Sequence, residues 1–155
     1  MYQFICKTKD ETQKLGSLFA KFSFVGAVIT LSGQLGAGKT TFSQGFANGL
    51  GIQGVINSPT FNIVKCYFNS SLPLYHIDAY RLEDLHQDLG LEEYIEGDGV
   101  SLVEWAEFIL EVIPDELLKI NITINSDDSR VICVEPVGSK YINLVKKVKE
   151  LWDIR

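Results

Sequence analysis

A three-layer α/β fold, with parallel strands at the centre of its sheet and antiparallel pairs at its margins, is what this sequence predicts. Three observations carry the prediction. Short, almost wholly apolar runs at Val25–Leu31 and Val100–Val103 read as strands buried on both faces. Amphipathic helical patterns alternate with them, as in layered α/β proteins. Alternating apolar and polar segments joined by turn residues, at Asn69–Ser71 and Ser126–Ser129, supply two hairpins for the margins.

The elements follow in order. Thr8-x-x-Glu11 is a capping-box pattern, and Leu15, Leu18, Phe19 and Phe22 recur behind it at helical spacing, predicting a helix over Lys9–Lys21. The strand Val25–Leu31 runs into a glycine-rich loop, after which Phe42, Phe46 and Leu50 mark a helix that opens just past Lys39 and stops at Gly49 and Gly51. Phe61–Phe68 and Leu72–Tyr80, rich in aromatic and β-branched residues, form the first hairpin. Glu83–Asp98 holds seven acids on a helical pattern through Leu85, Leu89 and Leu91, interrupted by Gly90, Gly97 and Gly99, and reads as a solvated face. Val100–Val103 is a buried strand, and Ala106–Ile113 turns helical before Pro114. Leu117–Asn125 and Arg130–Val137 make the second hairpin, and Tyr141–Trp152 a final helix with Leu144, Val145, Val148, Leu151 and Trp152 on one side.

Length and composition agree with one domain over residues 1–155. A chain that is 46% hydrophobic and 22% charged can bury a core, which excludes a disordered tail or a collagen-like repeat. Its net charge of −6 and its three arginines, Arg81, Arg130 and Arg155, argue against a tight unassisted grip on a nucleic-acid backbone. Cys6, Cys66 and Cys133 are odd in number and contain no C-x-x-C pair, so neither a disulfide framework nor a zinc site is expected. The amino terminus has no basic flank leading into an apolar run, and no apolar stretch reaches the roughly 20 residues of a membrane span. The expected location is therefore the cytoplasm, without a membrane.

The chemistry is concentrated in residues 33–40, Gly-Gln-Leu-Gly-Ala-Gly-Lys-Thr, which match G-x-x-x-x-G-K-T between a buried strand and a helix. The pattern reads as the phosphate-binding loop of a P-loop NTPase, so the three-layer sandwich is expected to be of that kind. Gly33, Gly36 and Gly38 permit the backbone dihedrals that turn successive N–H groups, including that of Ala37, toward phosphate oxygens. Lys39 is placed to reach the β- and γ-phosphates, the Thr40 hydroxyl to ligate Mg2+, and Thr41 to donate on the α-phosphate side. Such a site also needs a carboxylate at the end of a neighbouring strand. Glu104, closing Ser101-Leu102-Val103-Glu104, is the candidate metal ligand. Asp78, closing Leu74-Tyr75-His76-Ile77-Asp78, is a second carboxylate that either orients the attacking water, completes the metal shell or holds the turn before Tyr80. His76 and His86 lack ligand-spaced partners and read as packed or exposed imidazoles, and Trp105 reads as core. Ser58-Pro59-Thr60 is a rigid turn whose position makes it a candidate switch loop.

Together with the loop, Ser58-Pro59-Thr60-Phe61, Tyr75-His76-Ile77-Asp78-Ala79-Tyr80-Arg81 and Leu102-Val103-Glu104-Trp105 give a chain that, over about residues 8–137, resembles the bacterial TsaE family, formerly YjeE. The resemblance implies a small ATPase that uses ATP and Mg2+, is weakly active alone, and works with TsaB and TsaD in threonylcarbamoyl modification of tRNAs reading codons beginning with adenine. tRNA would be met only through that complex. The resemblance implies metal ligands at Thr40 and Glu104, a phosphate loop over Gly36–Thr41, an active-site aspartate at Asp78, and a threonine loop near the γ-phosphate containing Thr60. The adenine side would lie near Lys9 and Asp128.

Two other classes compete. A small-molecule kinase on the same loop would clamp its phosphoryl group with several lid arginines, which this chain is short of. A non-catalytic nucleotide sensor would bind ATP without turnover. A GTPase is disfavoured, since neither D-x-x-G nor N-K-x-D follows the loop.

Overall fold

The computed structural model describes residues 1–57, 59, 62–83 and 89–155. Among these described residues, seven strands form one sheet: β1 (Tyr2–Cys6), β2 (Val28–Gly33), β3 (Val64–Tyr67), β4 (Leu74–Asp78), β5 (Val100–Glu104), β6 (Leu117–Ile124) and β7 (Arg130–Val137). Their order is β1-β7-β6-β2-β5-β4-β3. The inner four, β6-β2-β5-β4, are mutually parallel, while β7, β1 and β3 pair antiparallel at the margins. Parallel strands at the centre need cover on both faces. Ile29 and Leu31 of β2 with Leu102 of β5 pack under the long helices, whereas Val28, Val103 and Ile77 face a second apolar cluster with Leu91, Ile95 and Ile109. The alternation of side chains along each strand thus divides the core into two, with the sheet as the middle layer.

Helix α1 (Lys9–Lys21) begins as its capping box dictates: the Glu11 N–H donates to Thr8 Oγ1 at 3.1 Å, and the Glu11 carboxylate accepts from the Lys7 N–H at 2.6 Å. Helix α2 (Lys39–Gly49) lies directly on α1. Gly45 makes that approach possible, because a Cβ there would collide with the carbonyl of Gln13. Helix α4 (Ser139–Asp153) buries Tyr141, Leu144, Val145, Val148 and Trp152, and the Tyr141 hydroxyl accepts from the Val28 N–H at 2.9 Å. No helix among the described residues is long and apolar enough to cross a membrane.

The structure corrects several expectations. Strand β1 was not expected, since Met1–Thr12 shows no feature beyond the cap; it pairs with β7 from Tyr2↔Val134 to Cys6↔Arg130. The strand expected at Val25 begins at Val28, because Val25 is exposed and Gly26 turns the chain at φ 85°. Ala106–Ile113 turns helical as expected but ends one residue earlier and is 3-10 rather than α: Ala106–Val112 is broken at Ile109 (φ −137°, ψ 37°), and Ile113 is extended ahead of Pro114. Among the described residues of the pattern over Glu83–Asp98, Leu91–Ile95 forms a helix, α3, opened by Gly90 at φ 69°; residues 84–88, Leu85 and His86 among them, lie outside the described residues.

Candidate functional site

Every parallel strand at the centre of the sheet brings its carboxyl end to the same edge, and there the chemistry-bearing residues gather. β2 ends at Gly33, the loop follows, and α2 opens at Lys39 with Gly38 as its N-cap in the left-handed region, φ 113°. Gly36 is also left-handed, φ 81°, a conformation costly for any residue with a Cβ. No side chain caps α2, so its first N–H groups and the positive end of its dipole face the loop.

Beside the loop, β4 and β5 run in register, with Asp78 opposite Glu104 and Leu31 of β2 on Glu104's other side. The sequence therefore delivers both expected carboxylates to the end of adjacent strands. Glu104 is 6% exposed and has Lys39 Nζ 3.8 Å from its Oε1 and His76 Nε2 2.9 Å from its Oε2. A carboxylate this buried is tolerable only with such partners. Asp78 accepts from the Tyr80 N–H at 3.0 Å, so it holds its turn and also lines the cleft.

The cleft has a volume of about 1110 Å³. Gly33, Gly36, Gly38, Lys39, Thr40 and Thr41 line it together with Asp78 and Glu104. Ala37 lies in the same loop but is buried, 1% exposed, with its carbonyl turned to Arg130. Lys9 and Asp128 line the cleft too, bringing the start of α1 and the β6–β7 turn to it. Thr60 lies outside the described residues, as do Ser58 and Phe61; Pro59 lines the cleft.

Four residues at or beside the cleft escape a linear reading. His76 is not simply a packed imidazole, because its Nε2 meets Glu104. Trp105 is more than core: half-buried, it packs against the second apolar cluster and also stands at φ 60° on the cleft wall, stacked on Phe108 at 5.6 Å with the Lys39 ammonium 5.6 Å from its ring centre. Arg81 and Arg130 also line the cleft. Arg130 Nε–H donates to the Ala37 carbonyl at 2.8 Å and Nη1 donates to the Asp128 carbonyl, so one guanidinium ties the β6–β7 turn to the glycine loop. The β4 segment carried the signal for His76, in that residues 76 and 78 share a strand face. Nothing local in the sequence pointed to Arg130, whose contact spans 93 residues.

A loop of this sequence between a central parallel strand and a helix, faced by a carboxylate at the end of the adjacent strand, places the molecule among P-loop NTPase folds. The family described as "Threonylcarbamoyl adenosine biosynthesis protein TsaE" matches residues 6–132. The chain belongs to that family. It is 52% identical over 139 residues to the Bacillus subtilis tRNA threonylcarbamoyladenosine biosynthesis protein TsaE, covering 90% of this chain and 88% of that one. The protein of the same description from Treponema pallidum is 37% identical over 132 residues, 84% of this chain and 97% of that one. A crystal structure of Bacillus subtilis YdiB superposes with a TM-score of 0.84 at 42% identity, covering 97% of this chain and 95% of that chain.

Proposed function

We propose that this protein binds and hydrolyses ATP with Mg2+, and that it does so in the cytoplasm in support of N6-threonylcarbamoyladenosine formation in tRNAs reading codons beginning with adenine, acting with TsaB and TsaD. The observation that carries the nucleotide part is the placement of a buried Glu104 carboxylate 3.8 Å from the ammonium of the loop lysine, on the sheet edge where the glycine loop opens. The pathway part rests on family membership and on the description of the relatives.

The residues fit the group. Mg2+ prefers oxygen donors, keeps waters, and is commonly held by one or two protein oxygens plus substrate phosphates rather than by a protein cage. The Thr40 hydroxyl at the first turn of α2 and the Glu104 carboxylate are oxygens of that kind, and among the described residues no cluster of three His, Cys, Asp or Glu forms a cage. When bound, magnesium would neutralise charge on the β- and γ-phosphates. The amides of the glycine loop and the opening of α2 would hold the phosphate chain, and Lys39 would leave Glu104 for the terminal oxygens. Asp78 would orient the attacking water, with Thr60 beside the γ-phosphate. Lys9 and Asp128 would bound the adenine end.

The test is ATP turnover by the isolated chain and with purified TsaB and TsaD, wild type against Glu104→Ala. The expected result is slow phosphate release alone, faster release with partners, and loss of both in the variant with ADP binding retained. Consumption of ATP only when an acceptor is supplied would identify a kinase, and binding without turnover under every condition a nucleotide sensor.

A further inference from the structure

The buried His76 ring makes a choice that packing alone does not explain. It is 1% exposed, Nε2 lies 2.9 Å from Glu104 Oε2, and Nδ1 has no hydrogen-bond partner among the described residues. Buried polar atoms are nearly always paired, so an orphaned ring nitrogen is a cost that an apolar residue at this position would avoid. What the ring provides in return lies at its other nitrogen. An ionised carboxylate only accepts hydrogen bonds, so toward it the Nε2–H donates a hydrogen bond to Oε2. The geometry of the sheet makes this contact rigid: His76 and Asp78 are alternate residues of β4 on the face of the sheet that carries Glu104, and β4 and β5 are paired from Leu74↔Val100 to Asp78↔Glu104.

We infer that His76 is a positioning residue for the metal-binding carboxylate: by holding Oε2 it fixes the Glu104 rotamer so that Oε1, the oxygen facing Lys39, points into the cleft. This rests on the magnesium–ATP reading above. Hydrogen-bond partners behind a ligating carboxylate orient it, and their loss typically weakens metal binding by about 10- to 100-fold. His76 has no role in gripping the phosphates, which the loop amides and Lys39 do, so nucleotide affinity without metal is independent of it.

The experiment compares His76→Gln, His76→Asn and His76→Leu with wild type. The Gln side-chain nitrogen is as many bonds from Cα as Nε2 and keeps the donor to Oε2, whereas the Asn nitrogen is one bond shorter and does not reach. Mn2+ binding to the ADP-loaded protein is followed by the electron paramagnetic resonance signal of free Mn2+, and affinity for a fluorescent ADP analogue is measured in EDTA. Expected are near-wild-type Mn2+ affinity for Gln, a loss of about 10- to 100-fold for Asn and Leu, and unchanged analogue affinity in EDTA for all three. Equal Mn2+ affinities for the Gln and Asn variants, at whatever level, overturn the inference, and this comparison holds even where the Leu variant fails to fold. A wild-type protein that binds ADP with no Mn2+ dependence would instead overturn the magnesium reading itself.

Discussion

Lys39 stands between two roles that a single ammonium can fill only in turn: 3.8 Å from Glu104 and 5.6 Å from the Trp105 ring centre, it is oriented along the cleft wall by charge and by a cation–π contact. On the proposed ATP reading, transferring it to a triphosphate would exchange these for charge-assisted hydrogen bonds. Lys39→Ala should lose about 1.5 to 3 kcal/mol of γ-phosphate binding, read by calorimetry as ATP affinity roughly ten- to a hundredfold weaker. Unchanged affinity would remove Lys39 from the site. The two carboxylates differ in what their loss should do. Glu104→Gln should preserve nucleotide binding in EDTA and abolish its enhancement by magnesium, whereas Asp78→Ala also frees the Tyr80 N–H and should therefore lower the unfolding midpoint as well as turnover.

At the scale of elements, the two long helices that carry the site are pinned by small features. Thr8→Ala removes the α1 N-cap and should cost about 1 kcal/mol in urea unfolding. The effect should reach the cleft, since Thr8 and Lys9 line it. Gly45→Val would push a side chain against Gln13 and separate α1 from α2, costing on the order of 1 to 3 kcal/mol with no contact to the site itself. How readily each element could be read follows from how local its cause is. The capping box, the glycine loop and the Tyr141–Trp152 stripe are written within a few residues, and the structure has helices where they predict them. β1 is five residues long and owes its existence to β7, more than a hundred residues away, so no local pattern announces it. The helical segment expected over Ala106–Ile113 forms over Ala106–Val112 as 3-10, and its shape is partly legible: Pro114 forces Ile113 out, while the kink at buried Ile109 has no local signal.

For the whole molecule, charge and titration give two further expectations. With a net charge of −6, the isolated chain should bind tRNA weakly or not at all, and filter binding across a salt series checks this; tight binding that falls steeply with salt would contradict it. Burial pushes the Cys6 thiol from 9.0 up to about 11, and the hydrogen bond to Asp98, with burial, pushes the Tyr75 hydroxyl from 10.0 up to about 12. Both groups are held neutral by the fold. Their contribution is therefore complete below pH 9 and is lost as pH rises toward 12, so the thermal midpoint should fall across that window and hold steady from pH 7 to 9. The gathering of the loop and the two strand-end carboxylates in one cleft was legible, because they sit in short motifs. The contacts that orient them were not, because His76–Glu104 and Ala37–Arg130 join residues 28 and 93 positions apart. The wall residue Trp105 has one more consequence. The chain has two tryptophans, and the other, Trp152, is buried against Phe4 in the helical layer. A Trp152→Phe protein would carry a single indole chromophore whose emission responds to the departing ammonium of Lys39, giving an optical, label-free record of loop occupancy on the stopped-flow timescale.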